Sequence, residues 1–247
     1  MERRIRLICD PPRPAALNMA VDEVLMESQS HPGAIPVLRF YTWEMPAYSA
    51  GYFQNVSQLA SRLGAKERNI PLVRRITGGG LVFHGTDLTF SLSLKNPSPY
   101  LPADVKSSYL KINEALRAGL SRSYPKLDYA DCRTVPSGRV KGERICFDQP
   151  SCYDLLLEGR KVVGASQRRR AGALLHQSAI FLDAPPEDLV VLILEGFREK
   201  WKTKFLEMPL TGEERSLAEC KGAERYGQDD WAFDPLARCA RTDSFFS

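Results

Sequence analysis

The chain is poor in the residues that build metal sites and covalent frameworks. It has three histidines, and none of its six cysteines (Cys9, Cys132, Cys146, Cys152, Cys220, Cys239) falls in a CxxC pair or at a Cys/His spacing suited to zinc. This argues against a metal knuckle or a disulfide scaffold, so free thiols and no metal are expected. Long apolar runs are missing as well. The N-terminus opens with Glu2-Arg3-Arg4, and the run from Ile5 to Cys9 is interrupted by Arg6. Neither a secretory signal nor a membrane span fits there, and a cytoplasmic location is expected. No internal repeat, low-complexity tract or clear linker is visible.

What is present is the balance of an ordinary globular protein, 43% hydrophobic and 26% charged over 247 residues. That is enough chain to bury a sizeable core, and one domain over residues 1–228 is expected, with 229–247 as a loosely held tail. The formal charge of +4 is unevenly spread, bunched in Arg74-Arg75 and Arg168-Arg169-Arg170. Such clusters favour an acidic partner, and without interleaved aromatics nucleic acid is the weaker choice.

Apolar residues at Leu17, Ala20, Val21, Val24 and Leu25 share a helix face, with Asp22, Glu23 and Glu27 on the other side. Runs rich in β-formers follow at Val37 to Tyr41, Tyr48 to Phe53, Leu72 to Ile76, Leu81 to Phe83 and Leu88 to Leu94; the last alternates with Thr89, Ser91 and Ser93, as a half-buried strand does. Ser57 is placed to cap a helix reaching about Arg68, and a longer helical pattern runs through Tyr109, Ile112, Leu116 and Leu120. Strands are expected again at Tyr153 to Leu157, Lys161 to Val163 and Leu174 to Leu182, then helices from Pro186 through Leu194 and over Gly212 to Cys220. Strands clustered in sequence, with helices at intervals, indicate an α+β fold with a mixed, mostly antiparallel sheet.

The chemistry concentrates in three places. Gly78-Gly79-Gly80 follows Arg74-Arg75 and leads into an apolar run ending on His84. Three successive glycines imply that another group approaches the backbone too closely for side chains, and the arginines make that approach attractive to an anion. Cys146, between Arg144-Ile145 and Phe147-Asp148, is a candidate nucleophile on a loop, and Cys152 shares that loop. A nearby cation such as Lys161, across a hairpin through Gly159, would favour the reactive thiolate. With no Ser or Asp in a motif around His84 or His176, a Ser-His-Asp triad is not expected.

These residues resemble a known family. Asn18-Met19-Ala20-Val21-Asp22-Glu23, Arg39 to Trp43 with Pro46 and Ser49 to Gln54, the segment Arg74 to His84, and Lys161-Val162-Val163-Gly164 are similar to the biotin/lipoate protein ligase catalytic domain over residues 3 to 195. Cys146-Phe147-Asp148 and Asp87-Leu88-Thr89-Phe90-Ser91 most resemble the cysteine-dependent octanoyltransferases of that superfamily. The resemblance implies transfer of an octanoyl group from acyl carrier protein, through a Cys146 thioester, to a lysine of a lipoyl domain such as glycine cleavage H protein, with Lys161 as the second catalytic residue. It further implies substrate contacts from Arg75, Gly78, Gly79, Gly80, His84, Gly164 and Ala165, with no cofactor, no metal, no membrane and no nucleic acid. Arg168 to Arg170 would meet the acidic carrier. The sequence departs from the family at Gly164-Ala165-Ser166-Gln167, at His176-Gln177-Ser178-Ala179 and at Gly85. The alternatives left open are an ATP-dependent lipoate ligase, a lipoyl amidotransferase and a noncatalytic lipoyl-binding protein.

Overall fold

The computed structural model describes residues 3–64, 67–135 and 150–233. Strands β1 (Arg3–Cys9), β2 (Val37–Tyr41), β6 (Leu88–Lys95), β7 (Leu127–Tyr129), β8 (Leu155–Leu157), β9 (Arg160–Arg170), β10 (Ala173–Ile180) and β11 (Thr203–Glu207) form one eight-stranded sheet in the order β11-β1-β2-β6-β10-β9-β8-β7. Only β1 runs parallel to its neighbours; the remaining adjacent pairs are antiparallel. A second sheet joins β4 (Leu72–Arg74), β3 (Ala47–Ala50) and β5 (Val82–His84). The fold is therefore α+β with a mixed, mostly antiparallel sheet.

Helices cover both faces of the large sheet. On one side α3 (Val105–Leu120) and α4 (Leu189–Trp201) pack Ile112, Leu116, Ile193 and Phe197 over Phe90, Leu92 and Leu94. The two helices touch backbone to backbone. A Cβ on Gly119 would lie 2.0 Å from the Leu192 carbonyl oxygen, and one on Gly196 would lie 2.0 Å from that of Ala115. On the other side α1 (Ala15–Ser28) and α5 (Gly212–Lys221) close over Ile8, Val37, Tyr41 and Leu175. Helix α2 (Val56–Arg62) packs Val56 and Leu59 against Tyr48, Ala50 and Leu81 of the small sheet and its flank. Among the described residues no helix is long and apolar enough to cross a membrane.

Four differences from the sequence expectations have physical causes. Helix α2 is capped by Asn55, whose side chain accepts from the Gln58 N–H, and not by Ser57. Strand β9 does not break at Gly164 or stop before the arginines. Its eight-residue register with β10 carries it through Arg170 to a two-residue turn, Ala171-Gly172, with both residues at positive φ as tight hairpins favour. Helix α1 is not amphipathic in the expected sense, because Asp22 and Glu23 are buried; Glu23 is held by Arg225 and the Tyr226 hydroxyl. Strand β6 is not half-buried but buried on both faces, since Thr89 and Ser91 find hydrogen-bond partners underneath. Residues 229–233 form α6 (Asp229–Phe233), with Trp231 buried against Arg74; the rest of the tail expected at 229–247 lies outside the described residues.

Candidate active site

A cleft opens between the two sheets. Met19 and Tyr41 contribute from α1 and β2, Trp43 and Thr89 from beside them, Ser49, Arg75, Val82 and His84 from the small sheet and its loop, and Gly164 to Ser166 and Gln177 to Ala179 from the β9–β10 hairpin. Of the residues expected at the site, Arg75, His84, Gly164 and Ala165 thus share one wall system.

The arginine pair divides its work. Arg74 is buried and donates to the carbonyls of Gly51, Tyr52, Gln54, Trp231 and Ala232, so it clamps backbone. Arg75 donates to the Ser49 carbonyl at 2.7 Å, to Ser49 Oγ at 3.0 Å, and to the Gly78 and Gly80 carbonyls, each at 2.8 Å. It therefore fixes the glycine loop from inside. Gly79 has φ +91°, and a Cβ on Gly51 would fall 2.1 Å from its carbonyl oxygen, so one close approach that the glycines permit is by the chain's own backbone. Around a Cβ on Gly78, by contrast, nothing lies within 4 Å.

His84 is at the centre of a hydrogen-bonded row that the sequence did not reveal. Its Nδ1 is 2.8 Å from Asp87 Oδ2 and its Nε2 is 2.8 Å from Ser49 Oγ. Asp87 also accepts from Thr89 Oγ1 and the Gly85 N–H, and Trp43 Nε1 donates to Thr89. Burial alone would raise the Asp87 carboxyl, but the bonds from His84, Thr89 and Gly85 hold it below the usual value. A carboxylate only accepts, so His84 carries its proton on Nδ1, and Nε2 is left to accept from the Ser49 hydroxyl. Burial keeps the imidazole pKa low, against the pull of Asp87, so the ring is neutral near pH 7. The triad geometry that sequence spacing spoke against is present, with Ser49 thirty-five residues upstream of His84. Its serine oxygen also takes the Arg75 N–H, which makes the row a support for that arginine and, through it, for the glycine loop.

Below the cleft a second network centres on Asp22. Ser166 donates to Thr77 at 2.8 Å, Thr77 to Gln177 Oε1 at 2.6 Å, and Gln177 Nε2 to Asp22 at 2.7 Å. Asp22 also takes Arg39 at 2.8 Å, the Tyr41 hydroxyl at 2.8 Å and Ser91 at 2.6 Å. Two of the segments that depart from the family pattern, at 164–167 and 176–179, supply Ser166 and Gln177 to this chain.

Lys161 stands near the start of β9 with its ammonium 2.7 Å from Asp154 Oδ2, and both side chains are buried. It is not a solvated edge lysine. Cys146 lies outside the described residues. Cys152 is joined to Cys132 in a disulfide, which corrects the expectation of free thiols at those two positions and leaves Cys152 no thiol to react; Cys9 and Cys220 are free and exposed. Of the arginine run, Arg168 lies over the Tyr52 ring at 4.8 Å and Arg169 donates to Ser108 Oγ and the Ala103 carbonyl, which leaves Arg170 the exposed member.

Comparison with known proteins adds five findings. The family model described as the lipoyl protein ligase A/B catalytic domain matches residues 14–219. The chain is 35% identical over 196 residues to octanoyltransferase LipM of Moorella thermoacetica, covering 76% of this chain and 70% of that protein. It is 37% identical over 196 residues to octanoyltransferase LipM of Bacillus subtilis, covering 77% and 70%. A solved lipoate-protein ligase A bound with ATP superposes with a TM-score of 0.74 at 25% identity, over 96% of this chain and 100% of the other. A bipartite lipoate protein ligase from Thermoplasma acidophilum, described with its E2 lipoyl domain, gives 0.71 at 25% identity, over 96% and 98%.

Proposed function

We propose a route for the octanoyl transfer that this chain, which belongs to the lipoyl protein ligase A/B catalytic-domain family, performs in lipoate biosynthesis. The Cys146 thiolate attacks the carbonyl of an octanoyl thioester on acyl carrier protein; a new carbon–sulfur bond forms, the carrier's carbon–sulfur bond breaks, and the carrier thiolate takes up a proton. The ε-amine of a lipoyl-domain lysine then attacks the acyl-enzyme. A carbon–nitrogen bond forms, the Cys146 sulfur leaves, and the amine gives up a proton to water. Exchange of a thioester for an amide runs downhill and uses no ATP.

The likeness to two LipM octanoyltransferases over 196 residues each carries this reading. The chain's own residues agree with it. Met19, Trp43, Val82, Ala165 and Ala179 give the cleft apolar lining, and an octanoyl tail buried there gains about 0.8 kcal/mol for each CH₂, or roughly 5 kcal/mol in all. Lys161 supplies a cation that favours a thiolate and an acyl oxyanion. With Cys152 oxidised to Cys132, the loop's remaining candidate nucleophile is Cys146. Exposed Arg170 suits an acidic carrier.

Resemblance to an ATP-bound ligase gives a second reading, adenylation of free lipoate. Intact-protein mass spectrometry separates the two. Wild type mixed with octanoyl-acyl carrier protein without ATP is expected to gain one octanoyl group that neutral hydroxylamine removes, and Cys146→Ser is expected to form no such labile adduct. Absence of the adduct, with lipoyl-adenylate formed from lipoate and Mg·ATP, would instead identify a ligase.

A further inference from the structure

We propose that Asp154 is a positioning residue of the transfer reaction, its carboxylate fixing where the Lys161 ammonium stands. The proposal rests on the octanoyl-transfer reading above.

The supporting geometry is local and unusually complete. Asp154 Oδ2 lies 2.7 Å from Lys161 Nζ and 2.7 Å from the Ser151 N–H, while the Asp154 N–H returns to the Ser151 carbonyl at 3.0 Å. The carboxylate is thereby fixed by its own loop before it meets the lysine. That loop is anchored elsewhere too: Ala130 N–H donates to the Asp154 carbonyl, Asn113 Nδ2 donates to the Tyr153 carbonyl, and Cys152 is bonded to Cys132. Tyr153 sits at φ +69°, a conformation that a bulky side chain adopts only when its surroundings over-determine it.

From the other side, the strand register presents the lysine. Leu155 pairs with Val163 but Leu156 pairs with Lys161, so β9 carries one extra residue, Val162, between the two pairings. A bulge of this kind twists the strand and re-aims its side chains. Lys161 and Asp154 thus meet across an irregularity, and three residues further along β9 Gly164 begins the stretch that lines the cleft.

Stability does not explain the pair. A buried ion pair is often no better than apolar residues of the same volume, because desolvating both charges offsets their attraction. Its chemical use is clearer. A buried ammonium without an anion tends to lose its proton, and a neutral amine neither favours a thiolate nor stabilises an oxyanion. Asp154, whose own carboxyl burial pushes above the usual value, sets the opposite charge 2.7 Å from that nitrogen, and its fixed loop leaves the ammonium little freedom to point elsewhere.

The test is single-turnover formation of the octanoyl-enzyme from octanoyl-acyl carrier protein, followed by intact mass across pH, for wild type, Asp154→Asn and Asp154→Glu. Asp154→Asn is expected to lower the rate at least tenfold with KM for the carrier unchanged within about twofold. It is further expected to move the alkaline limb of the pH–rate profile to lower pH, with Asp154→Glu recovering part of the rate and the limb. A folded Asp154→Asn variant with the wild-type rate and profile overturns the proposal. Should that variant not fold, the comparison passes to Lys161→Met against Lys161→Met/Asp154→Asn, where no unpaired charge remains. Equal residual rates support action through Lys161, and a further drop in the double variant overturns it. If wild type itself forms no adduct, the octanoyl-transfer reading has failed and not the role of Asp154 within it.

Discussion

On one face of the eight-stranded sheet, α3 and α4 close over Phe90, Leu92 and Leu94, with two glycines letting the helices touch. On the opposite face, α1 lies over Ser91, Arg39 and Gln177, which converge on Asp22. Both faces exclude water, but the first does so with groups that are indifferent to orientation and the second with groups that are not. An apolar layer gains from burial in almost any close packing. A buried polar layer is favourable only when every donor and acceptor is matched, so it fixes the geometry of what it touches. The candidate cleft borders the second layer, where rigidity at a reacting group has a use.

The largest way to break this contrast is Asp22→Ala. It leaves Arg39 short of a buried partner and Gln177, Tyr41 and Ser91 without their acceptor, and urea denaturation should show a loss of about 3–5 kcal/mol. On the apolar face, Gly196→Ala forces a methyl onto the Ala115 carbonyl and should cost about 3 kcal/mol, the upper part of the range for overpacking. Its residual folded fraction should transfer octanoyl at the normal rate, because α3 and α4 stand away from the cleft lining.

A pH titration sharpens the comparison, because each layer holds one neutral histidine. Burial lowers His176, on the α3 side, to about 3, and it lowers His84 on the cleft side as well. Above about pH 6.5 both folded and unfolded chains are unprotonated at these sites. Below it the unfolded chain takes up protons that the folded chain refuses, so stability falls as pH drops. At pH 5 thermal or urea unfolding should show a loss of about 2 kcal/mol from His176 alone, with a further contribution from His84. A stability curve flat from pH 7 to pH 5 would contradict the burial of both rings. The smallest effect belongs to Gly78→Ala. With open space where the methyl goes, its stability should stay within about 0.5 kcal/mol of wild type, so any loss of transfer rate would report contact with the acyl donor.

The apolar layer was legible in the sequence and the polar layer was not. Leu88, Phe90, Leu92 and Leu94 alternate as a strand must, and β2 falls at Val37–Tyr41 as its composition indicates. The same rule assigns Ser91 and Asp22 to solvent, because periodicity ranks residues by polarity and cannot see that two polar faces satisfy each other. Strands β1, β7 and β11 escaped notice for another reason: β7 has only three residues, and Arg3, Arg4 and Arg6 in β1 or Lys204 and Glu207 in β11 leave few apolar positions to count. At the candidate site, Arg75, His84, Gly164 and Ala165, named from motif and resemblance, all line the cleft. Ser49, Asp87 and Asp154 were missed because their partners are distant in sequence or, for Asp87, because no spacing rule distinguishes it from a turn aspartate.

The Cys132–Cys152 bond closes a ring of chain, and Cys146 is one of the residues within it. The loop that carries the proposed nucleophile therefore belongs to a covalent circle. A protease cutting once between residues 133 and 151 would leave a single molecule heavier by one water, and two fragments would separate only after reduction. Any assay that adds thiols to protect Cys146 opens that circle at the same time.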